Sequence, residues 1–213
     1  MLQKVKCFSS LIDNINLHYY ANFLEAKMAD KYFNILENNL VYNSSEQSKV
    51  KIMGKEYEIN RKQVAYGSPG TYYEFAGVKV TAKSWDDKTD IVCRVIKNIK
   101  KFVEAYTGKE FNFCLINRYA NGNDGIGNHH DKDKDLGENP CIVGVSLGAV
   151  RDVHFSVDGF IPKKLPESFN LQLDHGSLFV MFHPTNTHWK HSIPKRAHVK
   201  MPRISLTFRQ LYL

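Results

Sequence analysis

The stretch NHHDKDKD (residues 128–135) sets two adjacent histidines against an alternation of aspartate and lysine. Successive side chains of an extended strand point to opposite faces, so the two groups that can converge on one point are His129 and Asp131, with His130 turned away. An imidazole nitrogen and a carboxylate oxygen at that spacing can take adjacent positions on a small cation. One distant histidine would complete a facial triad and leave positions open for a cosubstrate and oxygen, the arrangement of non-haem Fe(II) oxygenases. His-x-Asp by itself is a weak motif, and the DKDKD run suits a solvated turn equally well.

His191 is the third ligand favoured by order and context, while His154, His175, His183 and His188 stay open on spacing alone. The stretch RISLTFR (203–209) bears on the chemistry. Read as a strand, it places Arg203, Ser205, Thr207 and Arg209 on one face and Ile204, Leu206 and Phe208 on the other. A face with two arginines and two hydroxyls either meets water or lines a cavity that receives an anion. Arginine is suited to bidentate carboxylate recognition, and an open Fe(II) site would need a dicarboxylate cosubstrate.

The rest of the chain bounds these readings. Its 213 residues and 43% hydrophobic content suffice for one well-buried domain. The formal charge of +7 favours a polyanionic partner, because lysine and arginine displace counterions from phosphates. Four scattered cysteines without CxxC spacing suit a reducing compartment. Neither a long apolar run nor a signal-peptide pattern is found, so the expectation is an intracellular protein that makes no use of a membrane.

Apolar residues recur at helical steps over 21–40 (Phe23, Leu24, Met28, Tyr32, Ile35, Leu36) and again from Ile91 through Val95, Ile96, Ile99, Phe102 and Val103 to Tyr106. Thr89 or Asp90 can cap the second helix, and Gly108 can stop it. SKVKIMGKEYEI and TYYEFAGVKV alternate in polarity around glycines and read as hairpins. From Phe111 onward short strands dominate, which predicts a sandwich or barrel after a mixed N-terminal part.

Taken together, these residues resemble the AlkB family of Fe(II) and 2-oxoglutarate dependent dioxygenases, most closely its branch that repairs alkylated bases in double-stranded DNA. NRYANGNDGIGNHHD (117–131) is similar to the family's Asn-x-Tyr, Gly-x-Asp and His-x-Asp elements, and HSIPKRAHVKMPRISLTFR (191–209) to its distal histidine followed by Arg-x5-Arg. The likeness extends through INRKQVAYGSPGTYYEFAG (59–77) and HGSLFVMFHPTNTHWKHSIP (175–194). It implies an α+β fold, a double-stranded β-helix (jelly roll) core at 111–213, with N-terminal helices and a nucleotide-recognition hairpin region at 1–110, in one dioxygenase domain.

The resemblance also implies the site. Fe(II) would be held by His129, Asp131 and His191, and 2-oxoglutarate by Asn117, Tyr119, Arg203, Thr207 and Arg209, with His191 beside it and O2 as the second cosubstrate. Ser205 departs from the family's usual asparagine. Met53 would be the tip of a finger hairpin that enters the base stack, flanked by Gly54 and Lys55, where the related branch carries an aromatic. Arg61 corresponds to a residue near that finger. Tyr73 and Phe75 would stack on the flipped base, and Asp133 would contact its edge, while Lys132 replaces a second acidic residue. Phosphate contacts would come from Lys55, Lys62, Lys195, Arg196 and Lys200.

The implied activity is oxidative dealkylation of 1-methyladenine, 3-methylcytosine and etheno adducts in DNA, releasing succinate, CO2 and an aldehyde. A monomer acting on duplex DNA in the nucleus is the leading expectation. Demethylation of RNA or single strands, and nucleic-acid binding without catalysis, are the alternatives.

Overall fold

In the computed structural model the described residues are 6–7, 14–44, 48–52, 55–75, 78–131, 136–158 and 167–212. Before residue 111 the chain forms β1 (Lys6–Cys7), β2 (Leu17–Tyr20), α1 (Ala26–Asn39), β3 (Lys49–Ile52), β4 (Lys55–Glu58), β5 (Lys62–Gly67), β6 (Tyr72–Phe75), β7 (Val78–Thr81), β8 (Lys83–Ser84) and α2 (Ile91–Thr107). Beyond it come β9 (Phe113–Tyr119), β10 (Ile126–His129), β11 (Ile142–Gly148), β12 (Arg151–Val157), β13 (Ser168–Leu173), β14 (Ser177–Met181), α3 (Thr185–His188), β15 (Trp189–Ile193) and β16 (Arg203–Arg209).

The strands after Phe111 divide between two sheets. β14, β11, β16 and β9 lie side by side in the larger one, and β10, β15, β12 and β13 make up the smaller. This double-stranded β-helix is the jelly roll implied by the family resemblance, and it falls within the sandwich or barrel expected from the short strands. Upstream strands lengthen the larger sheet at both edges, β1 and β2 beside β14, and β5 and β8 beside β9.

Polarity alternation assigns each strand of the larger sheet two jobs. Cys114, Ile116, Val143, Val145, Leu147, Ile204, Leu206 and Phe208 face the layer formed by α1 and α2. Phe113, Leu115, Tyr119 and Ile142 face the smaller sheet, where they meet Val153, Phe155, Leu173 and Trp189. Truncating a central residue of either layer, such as Phe208 or Phe155, each fully buried, costs about 3–5 kcal/mol.

The helices follow their sequence signals with two differences. Of the two caps the sequence offers α2, Asp90 is the one that forms, accepting the Val92 N–H at 2.7 Å, and Gly108 ends the helix as expected, in the left-handed region at φ 64°. Phe102, part of the apolar repeat, stays 43% exposed because the packed stripe runs through Val95, Ile96, Ile99 and Val103. Helix α1 begins at Ala26, not at residue 21. The Leu24 N–H is engaged by Gly176 O at 3.0 Å, which ties 21–25 to the turn before β14 and holds it out of the helix. Both expected hairpins form: β3 pairs with β4 as far as Ile52 and Lys55, and β6 pairs with β7. Met53, Gly54 and Asp133 lie outside the described residues, as does the side chain of Phe75.

Candidate metal and cosubstrate site

The mouth between the sheets brings together residues from four separate stretches. β10 and β15 pair antiparallel with His129 directly opposite His191, and the imidazole centroids stand 4.3 Å apart. On its other side His191 is opposite Phe155 of β12, which fixes it within the smaller sheet. Asp131 follows two residues after His129, and its Oδ1 lies 3.7 Å from His129 Nε2. One ligand atom from each of His129, Asp131 and His191 falls within 4.8 Å of the others. Among the described residues this is the one cluster of its kind, and His154, His175, His183 and His188 are not in it.

The donor atoms suit a divalent cation. A carbonyl can only accept, so the 2.9 Å contact of His129 Nδ1 with Gly127 O places the proton on Nδ1 and leaves the Nε2 lone pair facing Asp131. Arg209 Nη2 engages Asp131 Oδ2 at 2.9 Å, which leaves Oδ1 on the side of the histidines. His191 Nδ1 is buried with no hydrogen-bond partner among the described residues.

Electrostatics favours the protonation states that metal binding requires. Burial pushes the His191 imidazole down to about 3, helped by the neighbouring His129. Burial also lowers His129, against the opposing pull of Asp131. Burial alone would raise the Asp131 carboxyl, yet the Arg209 guanidinium, with His191 and His129, holds it well below the usual carboxylate range. At neutral pH the cluster is one carboxylate and two neutral imidazoles, ready to bind a cation without releasing a proton.

Beside the triad, β9 and β16 pair so that Arg203 lies opposite Tyr119, Ser205 opposite Asn117 and Thr207 opposite Leu115. Asn117, Tyr119, Arg203, Ser205 and Thr207 line one cavity together with His129, Asp131 and His191. Arg203 is 1% exposed. Its Nη2 donates to Ser146 Oγ at 2.8 Å and more weakly to Ser205 Oγ at 3.4 Å, and its guanidinium carbon stands 5.3 Å from the Tyr119 ring centre. Nε and Nη1 have no partner in hydrogen-bond geometry among the described residues. Burial pushes its pKa down to about 10, which still leaves it charged at neutral pH. A buried cation faced by hydroxyls and a ring is a receptor for an anion.

The recognition-side residues divide. Tyr73 is buried, stacks on Phe113 with centroids 6.0 Å apart, and has Arg209 4.7 Å over its ring, so it closes the cavity near the metal cluster. Arg61 also reaches the cavity, where its Nε donates to Asn117 Oδ1 at 2.8 Å. Lys55 lies exposed at the start of β4 and is not among the residues that line the cavity. His130 turns away from the cluster, as strand alternation requires, and bonds to Asn186 O. Sequence reasoning missed Gln63, Ser146 and Asn186. Gln63 is buried opposite Asn117, and a polar residue within the otherwise apolar run of β5 was the signal available for it.

The sequence pattern of the 2OG-Fe(II) oxygenase superfamily matches residues 16–209. The chain belongs to that superfamily. Fe(II), 2-oxoglutarate and O2 are the cofactor and cosubstrates of a 2OG-Fe(II) oxygenase, and the His-Asp-His cluster is a group that can hold the metal ion. The chain is 40% identical over 202 residues to the DNA oxidative demethylase ALKBH2 of Bos taurus, covering 93% of this chain and 70% of that one. It is 39% identical over 204 residues to the Homo sapiens protein of the same name, covering 94% and 75%. Among solved structures, OsALKBH1 superposes with a TM-score of 0.56 at 15% identity, covering 97% of this chain and all of that one, a likeness of fold alone.

Proposed function

We propose that this oxygenase is a DNA oxidative demethylase that restores alkylated bases by direct reversal. The observation that carries the reading is the identity of about two residues in five, over more than nine-tenths of the chain, to DNA oxidative demethylases. Among the described residues no helix is long and apolar enough to cross a membrane.

His129, Asp131 and His191 hold Fe(II), which when bound supplies O2 activation coupled to oxidative decarboxylation of 2-oxoglutarate to succinate and CO2. Arg203 binds the distal carboxylate, with Ser146 and Ser205 fixing the guanidinium and Tyr119 packing beside it. Asn117 and Thr207 line the path between that carboxylate and the metal. Arg209 holds Asp131 ionised and oriented. One oxygen atom enters the N-alkyl C–H bond of the base, giving a hemiaminal. Its C–N bond breaks as the hydroxyl proton leaves, which frees an aldehyde and returns the electron pair to the ring nitrogen.

A base inside a duplex cannot reach a cavity between two sheets, so it must be flipped. Residues 1–110 form the recognition side and 111–213 the catalytic side of one domain. Met53, with Gly54 and Lys55 beside it in the sequence, is the finger that fills the gap in the stack. Tyr73 and Phe75 hold the flipped ring, Asp133 meets its edge, and Arg61 braces Asn117. An alkylated base with positive ring charge stacks more strongly on an aromatic face than its neutral product, which favours release after repair. Duplex DNA in the nucleus is the preferred substrate, and the enzyme works as a monomer.

The test is incubation of the purified protein with Fe(II), ascorbate and 2-oxoglutarate. It is offered 1-methyladenine in matched double-stranded DNA, single-stranded DNA and RNA, with methyl loss followed by mass spectrometry. Cosubstrate-dependent repair, fastest on the duplex, is expected. Absence of methyl loss on every substrate rejects the reading, and a preference for RNA moves it to the other nucleic acid.

A further inference from the structure

We propose that Asn186 is a positioning residue for the metal site. It is the centre of a clasp that fixes the backbone of Asp131 and joins it to the strand bearing His191. Asp131 lies beyond the last residue of β10. The Asn186 side chain takes the place of a neighbouring strand there. Its Oδ1 accepts the Asp131 N–H at 2.9 Å, and its Nδ2 donates to Asp131 O at 2.8 Å. One planar amide thus holds both backbone polar groups of a single residue, which fixes the direction in which the Asp131 carboxylate leaves the chain.

The support is itself anchored. Asn186 sits in the single turn of α3, beside Thr185, which is wholly buried and accepts the Asn16 N–H at 2.7 Å through Oγ1. The backbone carbonyl of Asn186 accepts from His130 Nδ1 at 2.6 Å, so the residue between the two ligands is held by the same clasp. The other nitrogen of His130 lies 2.8 Å from Asp158 Oδ2, and Asp158 Oδ1 accepts from Lys190 Nζ at 2.6 Å. Lys190 immediately precedes His191 on β15. The contacts therefore close a path from Asp131 through Asn186, His130 and Asp158 to the strand of the third ligand. Asp158 and Lys190 are solvent-exposed and their pair adds little, so the two amide bonds of Asn186 carry most of the effect.

A metal ligand misdirected by a fraction of an ångström binds its ion less well, and loss of a group that orients a ligand typically costs about 10- to 100-fold in affinity. The proposal rests on the metal-ligand assignment made above but not on the nucleic-acid substrate. It is tested with Mn(II) as the probe ion, added to chelator-stripped protein, with free Mn(II) followed by electron paramagnetic resonance. Asn186→Ala should bind Mn(II) roughly 10- to 100-fold more weakly than the parent. A dissociation constant within about twofold of the parent, with or without a lower urea midpoint, would show a purely structural role and overturn the proposal. His130→Ala, which removes one arm and leaves the amide clasp, is the second variant should Asn186→Ala not fold. It should bind several-fold more weakly, and an unchanged constant counts against the clasp. His129→Ala separates the two failures: parent-like Mn(II) binding there overturns the metal site itself, whereas parent-like binding in Asn186→Ala alone overturns only the clasp.

Discussion

Arg203 and Arg209 stand at the two ends of one face of β16, nearly equally buried, and their surroundings are opposite. Arg209 meets a carboxylate of its own chain, Asp131. Arg203 meets the hydroxyls of Ser146 and Ser205 and the ring of Tyr119, and no ion pair is found for it among the described residues. Burying a guanidinium is costly unless charge and hydrogen bonds offset it. At one end the chain supplies the offset, so the arginine serves the geometry of the triad. At the other end the chain supplies only hydroxyls and a ring, and in the function proposed above the cosubstrate carboxylate would complete the offset. The difference teaches that burial and residue type do not assign a role; the partner already present does.

The comparison is broken most completely from the Arg209 end. His129→Ala, Asp131→Ala or His191→Ala should abolish repair at any cosubstrate concentration, measured as aldehyde release, because no other cluster among the described residues can replace the triad. At the opposite end, Arg203→Met should raise the KM for 2-oxoglutarate by about 10- to 100-fold, the scale of a lost charge-assisted contact of roughly 1.5–3 kcal/mol. Its Mn(II) affinity should stay close to the parent's, and a large loss of metal binding there would erase the distinction between the two ends. Met53→Ala should lower the ratio of duplex to single-strand repair by a few-fold while sparing both arginine sites, and an unchanged ratio removes the finger role. The smallest effect is expected for His130→Ala at saturating Fe(II), where most of the turnover should remain. An equal loss in His130→Ala and His129→Ala would contradict the face assignment.

Much of the site was readable before folding is considered, because alternation along a strand is a local property. His129 with Asp131, and Arg203 with Thr207 and Arg209, fall on shared faces through the covalent geometry of an extended chain. The apolar residues between them, Ile204, Leu206 and Phe208, are accordingly buried against the helices. Less legible were β5, β10 and β15, which are short or lack a clean alternation, and the start of α1, where a bond from Leu24 to Gly176 overrides a helical repeat. Asn186 carried no signal at all, since an asparagine after His-Pro-Thr reads as an ordinary turn residue.

By itself, then, the sequence determined which side chains of each strand share a face, the pairing of cationic and hydroxyl groups on the last strand, and the mixed architecture that ends in short strands. It left five histidines as candidates for the third ligand. Order and the family resemblance favoured His191, and the tertiary structure brings it, and none of the other four, into the cluster with His129 and Asp131. His191 lies opposite His129, whereas His154 bonds to Asn170 and His175 accepts from Gly148 and lies beside Asp30. The same holds for the contact of Arg61 with Asn117 and the clasp on Asp131. The physical reason is that side-chain direction along a strand is fixed by neighbouring residues, while register between strands is fixed by packing and hydrogen bonds over long separations, and a shift of one residue would turn each ligand to the wrong face.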